Sequence, residues 1–387
     1  MDPITNPYTP NAGSKPPELA GRGKQLRQFE VLIGRLSAGL TEQSMIIRGL
    51  RGVGKTVLLN AFEDIAESAG FITFYHELTP ESSLIAQVAR DAESTLAQLK
   101  LTSRVAARLR DSLAHLKTIR IASPEGFELA VDLRGGDEGQ VSADLAHLLV
   151  QIGKAAQEQG RGVVLLIDDV QFAAELEYRA LISALHRATQ KSLPVTLAAA
   201  GLPQIPRLTG EARSYAERLF DFPTLDSLAH DDAAAALASP ARQHEVSYTP
   251  EAVQRAITWT GGYPFFIQQL GKHAWNLAGQ SPIDLDAIED AMPVAREALD
   301  RSIYEVRLQR ATETERRYMK AMAELGTGPY RSGDVARKLG KGTGGVSKIR
   351  QRLLDKGLVY ATEDFGYIDF TVPRFDDFMR RRNDIGA

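Results

Sequence analysis

The chain has 387 residues, 43% of them hydrophobic and 25% charged, with a formal net charge of −3. That length exceeds one compact core and predicts two or three domains, while the composition excludes a disordered chain. No apolar run approaches the roughly 18 residues of a membrane span, and the absence of cysteine excludes disulfides and thiolate metal sites.

The opening stretch, MDPITNPYTPNAGSKPPELAG, is rich in Pro and Gly and lacks the apolar core of a signal peptide. With the missing cysteines this fits a reducing compartment, so a cytoplasmic location without membrane contact is expected. Residues 1–20 read as an extended arm. Leu26, Phe29, Leu32, Ile33 and Leu36 then fall at helical spacing. Met45 to Arg48 is a short apolar, β-branched run of the kind a buried parallel strand requires, and helical spacing resumes from Thr56. Between them Gly49, Gly54, Lys55 and Thr56 stand in the order G-x4-G-K-[ST], the Walker A or P-loop pattern, in its strand–loop–helix setting. Glycines let backbone N–H groups curl around phosphate oxygens, and the following helix aims its positive end at them. Gly49, Gly52, Gly54, Lys55, Thr56 and Val57 are therefore the expected nucleotide contacts. Lys55 would reach the β- and γ-phosphates, and the Thr56 hydroxyl would serve Mg²⁺.

Phe71-Ile-Thr-Phe-Tyr, Val163-Val-Leu-Leu-Ile and Val195-Thr-Leu-Ala-Ala-Ala are further strand candidates separated by helical patterns, which predicts an α/β fold with a parallel sheet covered by helices. The run VVLLIDDVQF reads as Walker B: a buried strand carries Asp168 to the sheet's carboxyl edge, where it would bind Mg²⁺. Asp169 would orient or deprotonate the attacking water. The region near 82–135 is longer than one helix and one strand require. Within it Lys100 to Arg120 is strongly basic, with leucines and valines at helical spacing, which suits a solvated helix face packed by its apolar side. A short strand is expected after Phe127.

The two Walker motifs and the polar turn after IDDVQF resemble the AAA+ class of P-loop ATPases, and within it the initiator branch of DnaA and the origin-recognition/Cdc6 proteins. Most AAA+ proteins carry Asp-Glu at Walker B; Asp-Asp followed by an apolar residue and Gln is the DnaA form. Gly21-Arg22 is similar to the motif these families place near adenine, so Arg22 is an expected nucleotide contact. Arg213 to Leu225 resembles the segment holding the arginine finger, the residue one subunit offers to a neighbour's γ-phosphate, and Arg218 matches it best. The polar sensor residue such proteins carry at the tip of the fourth strand is not evident; Thr196 is the sole polar residue in that strand.

Residues 226–310 read as a helical lid and connecting helix. Gly261, Gly262 and Pro264 are similar to the Gly-x-Pro motif of STAND ATPases, which implies a nucleotide contact at Pro264; a plain helix start with Pro at its first position is the alternative. From residue 311 a helix, a short second helix, a third helix from Gly345 to Lys356 and two strands follow, an order that resembles a winged helix-turn-helix domain. Residues 311–360 carry 11 Lys/Arg against 5 Asp/Glu. Lys348, Arg350 and Arg352 lie on the third helix, where DNA contacts would come from; winged helices also dock proteins. The seven histidines show no metal-ligand spacing.

The expected architecture is a P-loop core over residues 1–225, a lid and connector over 226–310 and a winged helix over 311–387. The expected activity is ATP binding and hydrolysis with Mg²⁺, coupled to double-stranded DNA or to self-association. The rival is a slow, ADP-loaded signalling scaffold whose winged helix docks a protein partner.

Overall fold

A computed structural model of the chain describes residues 1–11, 13–14, 19–98, 119–121, 129–131, 138–212 and 216–385. Of the basic run Lys100 to Arg120, only Ile119 and Arg120 fall within them. The core begins with α1 (Gly23–Ser37), β1 (Ser44–Gly49), α2 (Lys55–Ser68), β2 (Ile72–Glu77) and α3 (Leu84–Gln98). A hairpin of β3 (Ile119–Ile121) and β4 (Leu129–Val131) follows, then α4 (Glu138–Glu158), β5 (Val163–Asp168), α5 (Glu175–Gln190) and β6 (Val195–Gly201). Helices α6 (Ile205–Ala212) and α7 (Ala216–Leu219) lead into two-residue strands β7 (Phe220–Asp221) and β8 (Thr224–Leu225).

The strands form one parallel sheet in the order β2-β5-β6-β1-β7, with β8 also paired to β1. This is the parallel, helix-covered sheet that the apolar runs predict. Every residue of β5 and β6 is buried, because helices cover both faces. Alternation sorts the side chains: Ile47, Val164 and Leu166 face α1, α2 and the helices that follow the sheet, whereas Ile46, Leu165 and Ile167 face α3, α4 and α5. On the first face the rings of Phe29 and Phe62 stack with centroids 4.1 Å apart, joining α1 to α2. Helix α1 buries Phe29, Leu32, Ile33 and Leu36, the stripe its spacing predicts.

Helices α8 (His230–Arg242), α9 (Pro250–Thr260), α10 (Pro264–Leu277) and α11 (Leu285–Leu299) follow the sheet. Thr249 caps α9 by accepting from the Ala252 amide, with Pro250 at the first position. The N-terminal arm lies on these helices. The Tyr8 hydroxyl donates to the Leu237 carbonyl, and its ring packs so close to Gly271 that a Cβ there would meet it at 2.6 Å. The Asn6 amide donates to the Lys272 carbonyl at 2.9 Å. After α11 the chain takes a π-helical turn, Asp300–Glu305, before the short α12 (Val306–Gln309).

The last unit contains α13 (Glu313–Ala323), β9 (Tyr330–Arg331), α14 (Ser332–Lys338), α15 (Thr343–Asp355), β10 (Val359–Ala361), β11 (Tyr367–Phe370) and α16 (Phe375–Arg381). Thr312 and Glu315 form a reciprocal capping box that starts α13. The strands pair antiparallel in the order β10-β11-β9; α13, α14 and α15 precede β10 and β11 in the expected order, with β9 inserted after α13 and α16 following. Val346, Ile349 and Leu353 of α15 are buried, while Leu354 is half-buried.

Asp369 on β11 is held against this unit's core, and burial pushes its carboxyl up to about 6, with Asp376 adding to the rise and the Phe370 amide opposing it. An acid whose folded pKa is raised stabilises the fold while protonated, and that contribution is lost as pH climbs from about 4 through 6. Asp369→Asn is therefore expected to raise stability at pH 7–8 by on the order of 1 kcal/mol and to leave it unchanged below pH 4. Denaturant midpoints measured across that pH range check this; equal effects at both ends would contradict the assignment.

Candidate functional site

Gly49 ends β1 so close to the next strand that a Cβ would sit 2.4 Å from the Leu225 carbonyl oxygen. Gly52 and Gly54 take φ values of +89° and +93°, left-handed conformations that turn the loop into α2. Lys55 opens that helix, buried, and its Nζ donates to the Gly49 and Leu50 carbonyls at 2.9 Å each. Burial pushes the Lys55 ammonium down to about 8; Asp169 and Asp168 oppose the shift, while Arg51 and Arg307 deepen it.

β6 separates β1 from β5, so the P-loop and the end of β5 flank the tip of β6. Asp168 is 5% exposed there, and its Oδ2 accepts from the Thr56 hydroxyl. Burial raises the Asp168 carboxyl pKa, against the Thr56 hydrogen bond. Asp169 sits in the left-handed region at φ +51°, the kind of strained backbone that collects at functional sites. Its Oδ2 accepts from Arg51 Nη1 at 3.1 Å and its Oδ1 from Gln171 Nε2 at 2.8 Å. Among the described residues no group of three His, Cys, Asp or Glu side chains is placed to hold a metal. The Thr56 hydroxyl and the Asp168 carboxylate, bonded to each other at the end of β5, could hold Mg²⁺, a cation that commonly keeps one or two protein ligands and takes the rest from water and phosphate.

Arg51, Lys55, Thr56, Asp168 and Asp169 line a cavity of about 570 Å³; Gly49, expected as a nucleotide contact, is not among its lining residues. Ala20, Leu228 and Ala236 supply apolar wall; Arg22 lines the cavity too, donating to the carbonyls of Val53 at 2.9 Å and Asp226 at 3.0 Å. Gly52, Gly54, Val57 and Pro264 belong to the wall, and Pro264 is the first residue of α10. The Tyr263 hydroxyl, just before it, donates to the Arg51 carbonyl. The cavity also admits Arg307 and Arg310 from α12 and the turn after it, and Val372 from beyond β11.

Arg51 and Arg307 had no signal in the sequence pattern, and Gln171 was visible only as the last residue of the Asp-Asp-apolar-Gln run. Arg51 is a variable position of the P-loop motif, yet it pairs with Asp169, and its amide donates to the Thr371 carbonyl of the C-terminal unit at 3.0 Å. Gln171 links Asp169 to the tip of β6, where its Oε1 accepts from the Leu202 amide at 3.1 Å. Arg307 comes from the connecting segment. By contrast Thr196, the polar residue of β6, is buried toward the opposite end of the strand and bonded to Ser44.

Arg218 is exposed at the end of α7, just before β7 pairs with the amino end of β1, and is not among the cavity residues. Lys348 and Arg352, four residues apart on α15, are both exposed. Arg350 is half-buried, and its enclosed Nε has no hydrogen-bond partner among the described residues, so the three cations of this helix do not share one face.

Residues 18–198 match the family described as the AAA ATPase domain, and residues 301–379 match one described as a domain of unknown function. No curated protein matches the chain. Among solved structures it is similar to a Walker-type ATPase of Pyrococcus abyssi, at 13% identity and a TM-score of 0.54, covering 94% of this chain and 96% of that one. It is also similar to Cdc6p of Pyrobaculum aerophilum, at 15% identity and a TM-score of 0.51, covering 98% and 96%. At such identities the likeness speaks for the fold. Together with the converged Walker residues, it gives this chain a P-loop NTPase fold, within which residues 18–198 resemble the AAA ATPase domain.

Proposed function

We propose that the chain is an Mg²⁺-ATP-dependent switch that couples its nucleotide state to DNA binding by the C-terminal unit. Lys55 and the P-loop amides hold the phosphates, Thr56 and Asp168 hold the metal, and Asp169 orients the attacking water. Arg22 and Pro264 flank the nucleoside, and Arg218 is offered to a neighbouring subunit. One observation carries the coupling. Arg51 lies between the phosphate-binding Lys55 and the C-terminal unit, bonded at once to Asp169 and, through its amide, to Thr371. The Arg48–Glu363 pair at 2.8 Å joins the same two units, though with Glu363 exposed and Arg48 half-buried it contributes little energy. Phosphate entering beside Lys55 competes with Asp169 for Arg51 and so acts on the joint itself. ATP hydrolysis measured with and without duplex DNA, together with the identity of the nucleotide that co-purifies, tests this reading.

A second reading draws on the same geometry. Lys55 turned onto its own loop and Asp169 tied to Arg51 form a closed resting arrangement, which suits a slow, ADP-loaded scaffold docking a protein. Co-purifying ADP with negligible turnover would favour it. For the DNA role, Lys348→Ala with Arg352→Ala is expected to flatten the log–log salt dependence of DNA affinity by roughly 1.8 units, about 0.9 for each phosphate no longer neutralised. ATP affinity should be unchanged. Absence of DNA binding by the unaltered protein at low salt would favour the protein-docking reading.

A further inference from the structure

Arg307 follows the π-helical turn Asp300–Glu305, and such turns recur at functional sites because they re-aim side chains. On this turn Tyr304 points into the C-terminal unit. Its hydroxyl donates to the Pro373 carbonyl at 3.0 Å, and its ring lies 5.6 and 5.3 Å from those of Phe375 and Phe378. Three residues later Arg307 enters the nucleotide cavity instead. Its Nη1 is enclosed and has no hydrogen-bond partner among the described residues. Burial lowers the Arg307 guanidinium to about 10, with Arg51 and Arg310 pushing the same way and Asp169 opposing them.

An enclosed guanidinium facing other cations is unfavourable by itself and becomes favourable once an anion arrives. The guanidinium fork matches phosphate oxygens in geometry as well as in charge. The groups around Arg307 select which phosphate. Ala20, Leu228 and Ala236 offer apolar wall for the base, whereas the groups that act on Arg307, namely Arg51, Arg310 and Asp169, include the carboxylate that would hold water against the terminal phosphate.

We propose that Arg307 is a γ-phosphate contact supplied within the same chain by the hinge that carries Tyr304, so that loss of the third phosphate releases the hinge and with it the C-terminal unit. This rests on the nucleotide reading of the cavity. It gives the site a terminal-phosphate cation that neither the lid glycines nor the tip of β6 provides, and it makes the site discriminate ATP from ADP.

The test measures the affinities of the full-length protein for Mg²⁺-AMPPNP, a non-hydrolysable ATP analogue, and for Mg²⁺-ADP by calorimetry, in the unaltered chain and in Arg307→Ala, Arg307→Lys and Lys55→Ala. Arg307→Ala is expected to weaken the triphosphate about 10- to 100-fold, the range a charge-assisted hydrogen bond spans. Its ADP affinity should change less than about 3-fold by the same reasoning, and Arg307→Lys should recover part of the loss because it keeps the charge without the fork. The nucleotide-free melting temperature of Arg307→Ala should equal or exceed that of the unaltered chain, since an unpaired enclosed cation has gone. Equal losses for both nucleotides, no loss for either, or a marked drop in nucleotide-free stability would overturn the role of Arg307. Retained triphosphate binding in Lys55→Ala would instead overturn the nucleotide reading beneath it.

Discussion

Lys55→Ala is expected to abolish tight nucleotide binding. The ammonium is buried at the head of α2, held by two carbonyls of its own loop, and a triphosphate would take it over as the central cation of the site. Truncating one partner of a buried charge pair costs about 2–5 kcal/mol, which corresponds to roughly 30- to 5,000-fold in affinity. A ligand present at about 100 times its dissociation constant stabilises a native protein by about 2.7 kcal/mol, and that thermal gain should vanish in the variant. Calorimetry and melting curves with Mg²⁺-ATP check both effects. ATP binding at the unaltered level would remove Lys55 from the site.

Asp169→Asn should leave ATP binding nearly intact and lower turnover by about 10²- to 10⁴-fold, the usual weight of a general base. The amide oxygen can still accept from Arg51, so the joint to Thr371 should hold while the ability to take a proton is lost. Asp168→Asn should behave differently. It removes the charge beside the Thr56 hydroxyl, and turnover should recover in part as Mg²⁺ is raised. Single-turnover hydrolysis over a range of Mg²⁺ separates the two variants. The same mild loss in both, independent of Mg²⁺, would contradict the division of labour.

The sheet and its phosphate loop were readable because they are local. Glycine spacing, a β-branched run and helical periodicity lie within about twenty residues of one another, and the fully buried β5 announces itself as an unbroken apolar run. What went unread depends on distant partners. Arg51 occupies a position the motif leaves free, and its role follows from Asp169 and Thr371, far along the chain. Arg307 lies in a segment whose pattern says only that it is helical; the π-helical turn that aims it leaves no mark in residue spacing. The two-residue strands β7 and β8 are too short for any periodicity to register. Arg350 is a different lesson. It stands four residues after Val346 and three before Leu353, both buried, so helical spacing already put it at the edge of the packed face.

The order β2-β5-β6-β1-β7 bears on how the chain is made. Met45 of β1 pairs with Ala198 of β6, a neighbour synthesised about 150 residues later. At a ribosomal pace of roughly 5–20 residues per second, β1 waits on the order of 10–30 s for it. Closing so long a loop adds little entropy beyond that of a shorter one, so the burden falls on time rather than on final stability. Throughout that interval Met45, Ile46 and Ile47, all buried at the end, belong to a nascent strand without its inner neighbour. A fragment stopping before Val195 would leave β1 and β5 each with an unpaired edge where β6 belongs, and open strand edges are templates for aggregation. The strand that carries the phosphate loop is thus the one most exposed to mispairing before the sheet closes.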